Sequence, residues 1–120
     1  MDLILKLIVT LIIILHFYFL WFEMFAWETR GRKIFKSLPP ELFSKTKVLA
    51  ANQGLYNGFL GAGLIWSLFI FDQVWQVNVM TFFLTCVGIA GLYGASTADK
   101  KIFFVQALPA IVALILILLS

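Results

Sequence analysis

Eight side chains in this 120-residue chain have types and positions that could do chemistry: His16, Glu23, Asn52, Gln53, Tyr56, Asn57, Tyr93 and Gln106. They supply one imidazole, one carboxylate, two phenols and four carboxamides, all set in apolar sequence. Glu23 suits a proton-linked or cation-pairing role, and His16 that of a deeper proton acceptor. The carboxamides and phenols, which both donate and accept hydrogen bonds, suit the orienting of a ligand. The densest stretch is Asn52-Gln53-Gly54-Leu55-Tyr56-Asn57-Gly58-Phe59-Leu60, which opens a long apolar run. Polar groups inside a membrane are costly and by default suggest a functional site facing a bundle interior or a wet cavity.

Familiar reaction centres are not evident in the sequence. No Ser/His/Asp arrangement, nucleophile elbow, phosphate loop or HExxH-type zinc motif occurs. An enzymatic reading therefore leaves His16 or Glu23 as general base, and there geometry must decide before pKa. One histidine and one distant carboxylate are too few for a closed metal or haem site, so no metal and no cofactor is expected. Cys86 is the one cysteine and reads as a small buried or lipid-facing hydrophobe.

The elements that must position these groups follow from composition. The chain is 62% hydrophobic and 12% charged, with a mean hydropathy of +1.02. A soluble domain is about half apolar and about a quarter charged, so this balance places the chain in the membrane class. Four apolar spans are expected, over about 3–27, 48–71, 77–96 and 102–119, in one domain covering 1–120. A cleaved signal peptide is not expected, because the first run lacks a basic n-region and a small-residue cleavage site. Between the first two spans, residues 28–47 carry six basic residues, with Pro39-Pro40 breaking any helix midway. Ile34, Phe35, Leu38, Leu42 and Phe43 lie among those charges, a mixture suited to a segment lying on headgroups. Eight of the nine Lys and Arg residues fall in this loop or at Lys100-Lys101. By the positive-inside rule both basic loops are cytoplasmic and both termini outside.

Helical geometry then groups the polar residues. His16 and Glu23 lie seven residues apart, within about 20° on one face but about 10 Å apart along the axis. A direct contact is thus not expected, and a water, a ligand or Asn57 would have to bridge them. In the second span Asn52 and Tyr56 share one edge of a polar face, and Gln53 and Asn57 the other. Gly54, Gly58 and Gly61 lie just beyond that second edge, so the polar groups are expected to look inward. Small residues recur at contact spacing in Gly88, Gly91 and Ala95 and in Ala110 and Ala113, where backbones can approach closely. Pro109 removes a donor from the last span, and a modest kink is expected. Counted from the cytoplasmic side, nearly every polar group falls in the cytoplasmic half.

His16 with Glu23-Met24-Phe25 and Trp27, the span-two stretch, Gly91-Leu92-Tyr93-Gly94 and Gln106-Ala107-Leu108-Pro109-Ala110 carry a resemblance. Together they resemble the small bacterial four-span membrane proteins grouped as domain-of-unknown-function family 1304, over essentially the whole chain. The resemblance implies a multi-pass protein of the bacterial inner membrane and no particular reaction. The reading is an all-α, integral membrane bundle of four transmembrane helices with a polar pocket in its cytoplasmic half. It is expected to bind or translocate a small polar or amphiphilic solute. The alternatives are a structural protein whose polar cluster is interhelical glue, and a membrane-embedded enzyme acting on a lipid-like substrate. Expected partners are the lipid bilayer, the solute and, if transport needs more helices, a second copy docked through the glycine faces. Nucleic acid is not an expected partner.

Overall fold

Caps and breakers set the helix boundaries. The computed structural model describes residues 1–120, and the protein is all-α. Helix α1 is Leu3–Phe25, α2 Arg30–Ile34, α3 Glu41–Lys45, α4 Lys47–Leu68 and α5 Gln73–Thr97. A π-helical turn, Phe103–Ala107, leads into α6, Leu108–Leu119. Helix α5 starts at Asp72, whose Oδ1 accepts from the Trp75 N–H at 3.0 Å and satisfies one of the free donors of the first turn. Helix α3 begins directly after Pro40, where a missing N–H does no harm. Pro109 acts through the turn before it. Leu108 N–H reaches back five residues to Phe103 O, so the helix widens into a π turn next to the position where proline removes a donor.

Two helices, α1 and α5, are long and apolar enough to cross a membrane, where four spans were expected. The difference has a local cause in each of the other two. Helix α4 has 22 residues, but its three carboxamides and four glycines dilute its apolar content. The last apolar stretch is divided between a five-residue π turn and a twelve-residue α6.

The chain divides into two units, Met1–Leu15 with Leu60–Ser120, and His16–Phe59. Both boundaries fall inside helices, one in α1 and one in α4. The first unit has a hydrocarbon core in which Val9, Leu64, Met80, Leu84, Val87, Ala110 and Ala113 expose no surface. Small residues determine its closest approaches. A Cβ on Gly63 would overlap the Phe83 ring, and one on Gly91 would lie 2.8 Å from Ala107 Cα. Gly91 therefore lets α5 meet the backbone of the π turn. At Gly88 the neighbour is looser, with Ala110 Cβ 3.9 Å from the position a Cβ would take.

The second unit gives the 28–47 loop a fold of its own, which the sequence pattern did not suggest. Phe43 is buried and lies 5.2 Å from Trp27, centroid to centroid, with Phe35 5.8 Å from the same indole. Phe22 meets Trp27 edge-on at 5.7 Å. The indole N–H donates to Thr46 Oγ1 at 2.9 Å, which ties the end of α1 to the start of α4. Gly31 permits this closure, because a Cβ there would sit 3.0 Å from Phe43 Cε1. The apolar residues read as headgroup contacts thus include Phe35 and Phe43, which instead build an aromatic cluster.

The glycine contacts make a paired prediction for thermal unfolding in detergent. Gly91→Ala should destabilise by about 1–3 kcal/mol, since backbone must shift to admit the methyl group. Gly88→Ala, which meets open van der Waals space, should stay within about 0.5 kcal/mol of wild type. Equal loss in both variants would contradict the packing described.

Candidate functional site

Glu23 lies on α1 with 7% of its surface exposed. A carboxylate on an apolar helix needs a donor, and the Asn57 carboxamide on α4 supplies it. Asn57 Nδ2 donates to Glu23 Oε1 at 2.5 Å. The glycines of α4 make the contact possible. A Cβ on Gly54 would lie 2.9 Å from Glu23 Cβ, 3.0 Å from Met24 Cγ and 3.1 Å from the Leu20 carbonyl oxygen. One turn on, a Cβ on Gly58 would overlap Leu20 Cδ1. The two backbones therefore meet closely enough for a short side chain to reach across.

Asn57 reaches one of the two carboxylate oxygens. A carboxylate has acceptor capacity beyond one bond, for a further N–H or O–H donor or for a cation.

The other sequence-predicted residues divide by exposure. His16 is fully buried and sets its ring edge-on to Phe19, centroids 5.2 Å apart. Asn57, one of the three expected bridges, does reach Glu23. Asn52, Gln53 and Tyr56 correct the expectation of an inward-looking face: all three are exposed, Tyr56 by 58%. A helical wheel puts them on one side of α4 but does not tell which side another helix covers. Tyr93 on α5 is 69% exposed, and Gln106 in the π turn is buried. Of the small residues at contact spacing, Gly54 and Gly58 meet α1 and Gly91 meets the π turn.

Two surface cavities lie elsewhere. One of about 300 Å³ is lined by Asp2, Gln73 and Gln76 together with Leu5, Met80 and Ile117. The other, about 160 Å³, is lined by Met24, Phe25, Trp27, Glu28, Thr29 and Lys47. Beside the smaller one is a polar network that sequence reasoning missed. Glu28 accepts from Ser44 Oγ at 3.0 Å and pairs with Lys47 Nζ at 3.2 Å. The Ser44 hydroxyl, and then the Lys47 ammonium, hold the Glu28 carboxyl below the usual carboxylate range. Opposite charges at the two ends of one loop were the available signal.

Residues 10–118 match a protein family described as "Protein of unknown function (DUF1304)". The chain is also 36% identical over 115 residues to the uncharacterized protein YpaA of Lactococcus lactis subsp. lactis (strain IL1403), a match covering 93% of this chain and 95% of that protein. No solved structure matches the chain.

The Glu28 network predicts a pH dependence for α3. A carboxyl whose folded pKa is depressed contributes stability above its unfolded value, about 4.3, and loses it as pH falls through the folded value. Amide exchange in residues 41–46, corrected for intrinsic rates, should therefore lose protection as pH drops below about 4. Glu28→Gln should start less protected and show no such step. An identical step in that variant would exclude Glu28 as its source.

Proposed function

The chain belongs to the DUF1304 family, and from that footing we propose a four-span protein of the bacterial inner membrane that binds a small polar or amphiphilic solute at Glu23. The exposed surface supports the membrane reading. Only 28% of the apolar window of α1, and of α5, is buried inside the protein, so most of each window lies at the surface. Leu3, Ile4, Leu7 and Ile14 of α1, and Phe82 and Ile89 of α5, are all exposed. Apolar surface on that scale calls for lipid or a partner. At 22 residues α4 reaches about 33 Å, enough for a hydrocarbon layer of about 30 Å. The apolar stretch Phe103–Leu119 is shorter and completes a fourth crossing with local thinning of the bilayer. In this arrangement both basic loops are cytoplasmic and both termini outside.

The observation that carries the binding reading is a buried carboxylate on an apolar helix, held by the Asn57 carboxamide at Oε1. A cationic or donor group of the solute would bind the Glu23 carboxylate, with Asn52, Gln53 and Tyr56 offering further hydrogen bonds along the exposed side of α4. Translocation would add a path past His16 toward the outside. The second reading, interhelical glue, is favoured by one observation: the Asn57–Glu23 bond joins α4 to α1 directly.

Thermal unfolding of wild type, Glu23→Gln and Asn57→Ala in detergent, against a panel of small polar solutes and headgroup analogues, separates the two. On the binding reading the variants stay within about 1 kcal/mol of wild type, and one compound stabilises wild type alone. At a hundredfold excess over its Kd that compound would add about 2.7 kcal/mol. If both variants are much less stable and no compound shifts wild type, the pair is glue and the binding reading falls.

A further inference from the structure

We propose that the folded α2–α3 loop is a platform that binds the phosphate of anionic phospholipid headgroups, with Arg30 and Arg32 as its principal donors. Within residues 28–47 six basic residues face two acidic ones, Glu28 and Glu41. Lys47 is taken by Glu28 at 3.2 Å. Arg30, Arg32, Lys33, Lys36 and Lys45 make no ion pair, and all five are exposed. A run of exposed cations is by itself an ordinary solvated surface. The two arginines differ from the lysines because the fold holds them.

The Arg30 guanidinium lies 5.7 Å from the Tyr18 ring centroid, and its Nε donates to the Tyr18 hydroxyl. The Arg32 guanidinium lies 5.9 Å from the centroid of Phe43, a ring locked by Trp27 on one side and Gly31 on another. The Tyr18 hydroxyl takes the Nε–H of Arg30, and the Phe43 ring lies beside Arg32; neither contact uses the terminal N–H groups. Those groups form the planar fork that matches two phosphate oxygens. A guanidinium already held in place loses less freedom on binding than a free lysine does. Phe25, Val48 and Leu49, exposed at the ends of the flanking helices, place the platform at the depth where headgroups meet hydrocarbon. An anionic lipid supplies both halves of this surface: phosphate for the guanidinia and acyl chain for the apolar flanks.

This rests on the membrane reading above, and the experiment keeps the two apart. Full-length protein is placed in nanodiscs of phosphatidylcholine alone, or of phosphatidylcholine with phosphatidylglycerol, and its thermal midpoint is measured in each. Wild type should rise by about 5 °C with phosphatidylglycerol, and added salt should reduce the rise. Arg30→Gln with Arg32→Gln should lose most of it. Arg30→Lys with Arg32→Lys, which keeps the charge and serves if the first pair fails to fold, should also lose most of it. Lys33→Gln with Lys36→Gln should keep more than half. No rise in wild type would overturn the proposal. So would a full rise in the Lys pair, since charge alone would then suffice. An equal rise from inorganic phosphate in neutral nanodiscs would replace the lipid with a soluble anion. Wild type that enters no nanodisc would overturn this proposal together with the membrane reading.

Discussion

The approach of α4 to α1 at Gly54 and Gly58 is the constraint on which the polar centre depends. Glu23 lies on a helix whose neighbours are almost all hydrocarbon, and an unpartnered carboxylate there would be expensive. Asn57 has a short side chain and can meet it only if the two backbones come close. With a Cβ at 54 or 58, the methyl group would occupy space held by Glu23, Met24 and Leu20. The glycines and the carboxamide therefore form one device, in which removal of two side chains lets a third make its bond. Small residues at helix contacts in lipid are usually explained by close packing alone. Here the packing also fixes the position of a carboxylate.

The same economy operates in the other unit by a different route. Pro109 cannot donate, and the turn before it widens until Leu108 N–H reaches Phe103 O. The π turn carries Ala107 against α5, where Gly91 offers no side chain to obstruct it. A proline defect, which would otherwise leave backbone carbonyls without donors, is thus accommodated where two backbones pack tightly.

Much of this was legible in the sequence, and what was not has definite physical causes. Helical periodicity placed Gln53 and Asn57 beside a glycine face, and the Asn57–Glu23 bond follows from that placement. Pro109 announced a local disturbance, though not its π form, because proline shows which donor is missing but not how the chain compensates. The outward placement of Asn52, Gln53 and Tyr56 was not legible, since a wheel defines faces without saying what covers them. Nor was the folded loop. Trp27, Phe35 and Phe43 are spread over 17 positions with no common period, and only the closure allowed by Gly31 and the Trp27–Thr46 bond brings them together. The family was recognisable from the residues themselves, whereas the number of helices able to cross a membrane depended on how the carboxamides and the π turn are distributed.

A double-mutant cycle on Glu23→Leu and Asn57→Leu, read as unfolding free energy in one detergent, tests the interhelical bond most directly. If Asn57 holds Glu23, the two losses will be coupled by about 1 kcal/mol, and the double variant will be more stable than their sum predicts. Losses that add within about 0.3 kcal/mol would mean that the two side chains do not meet, and the account of how α4 docks on α1 would be wrong.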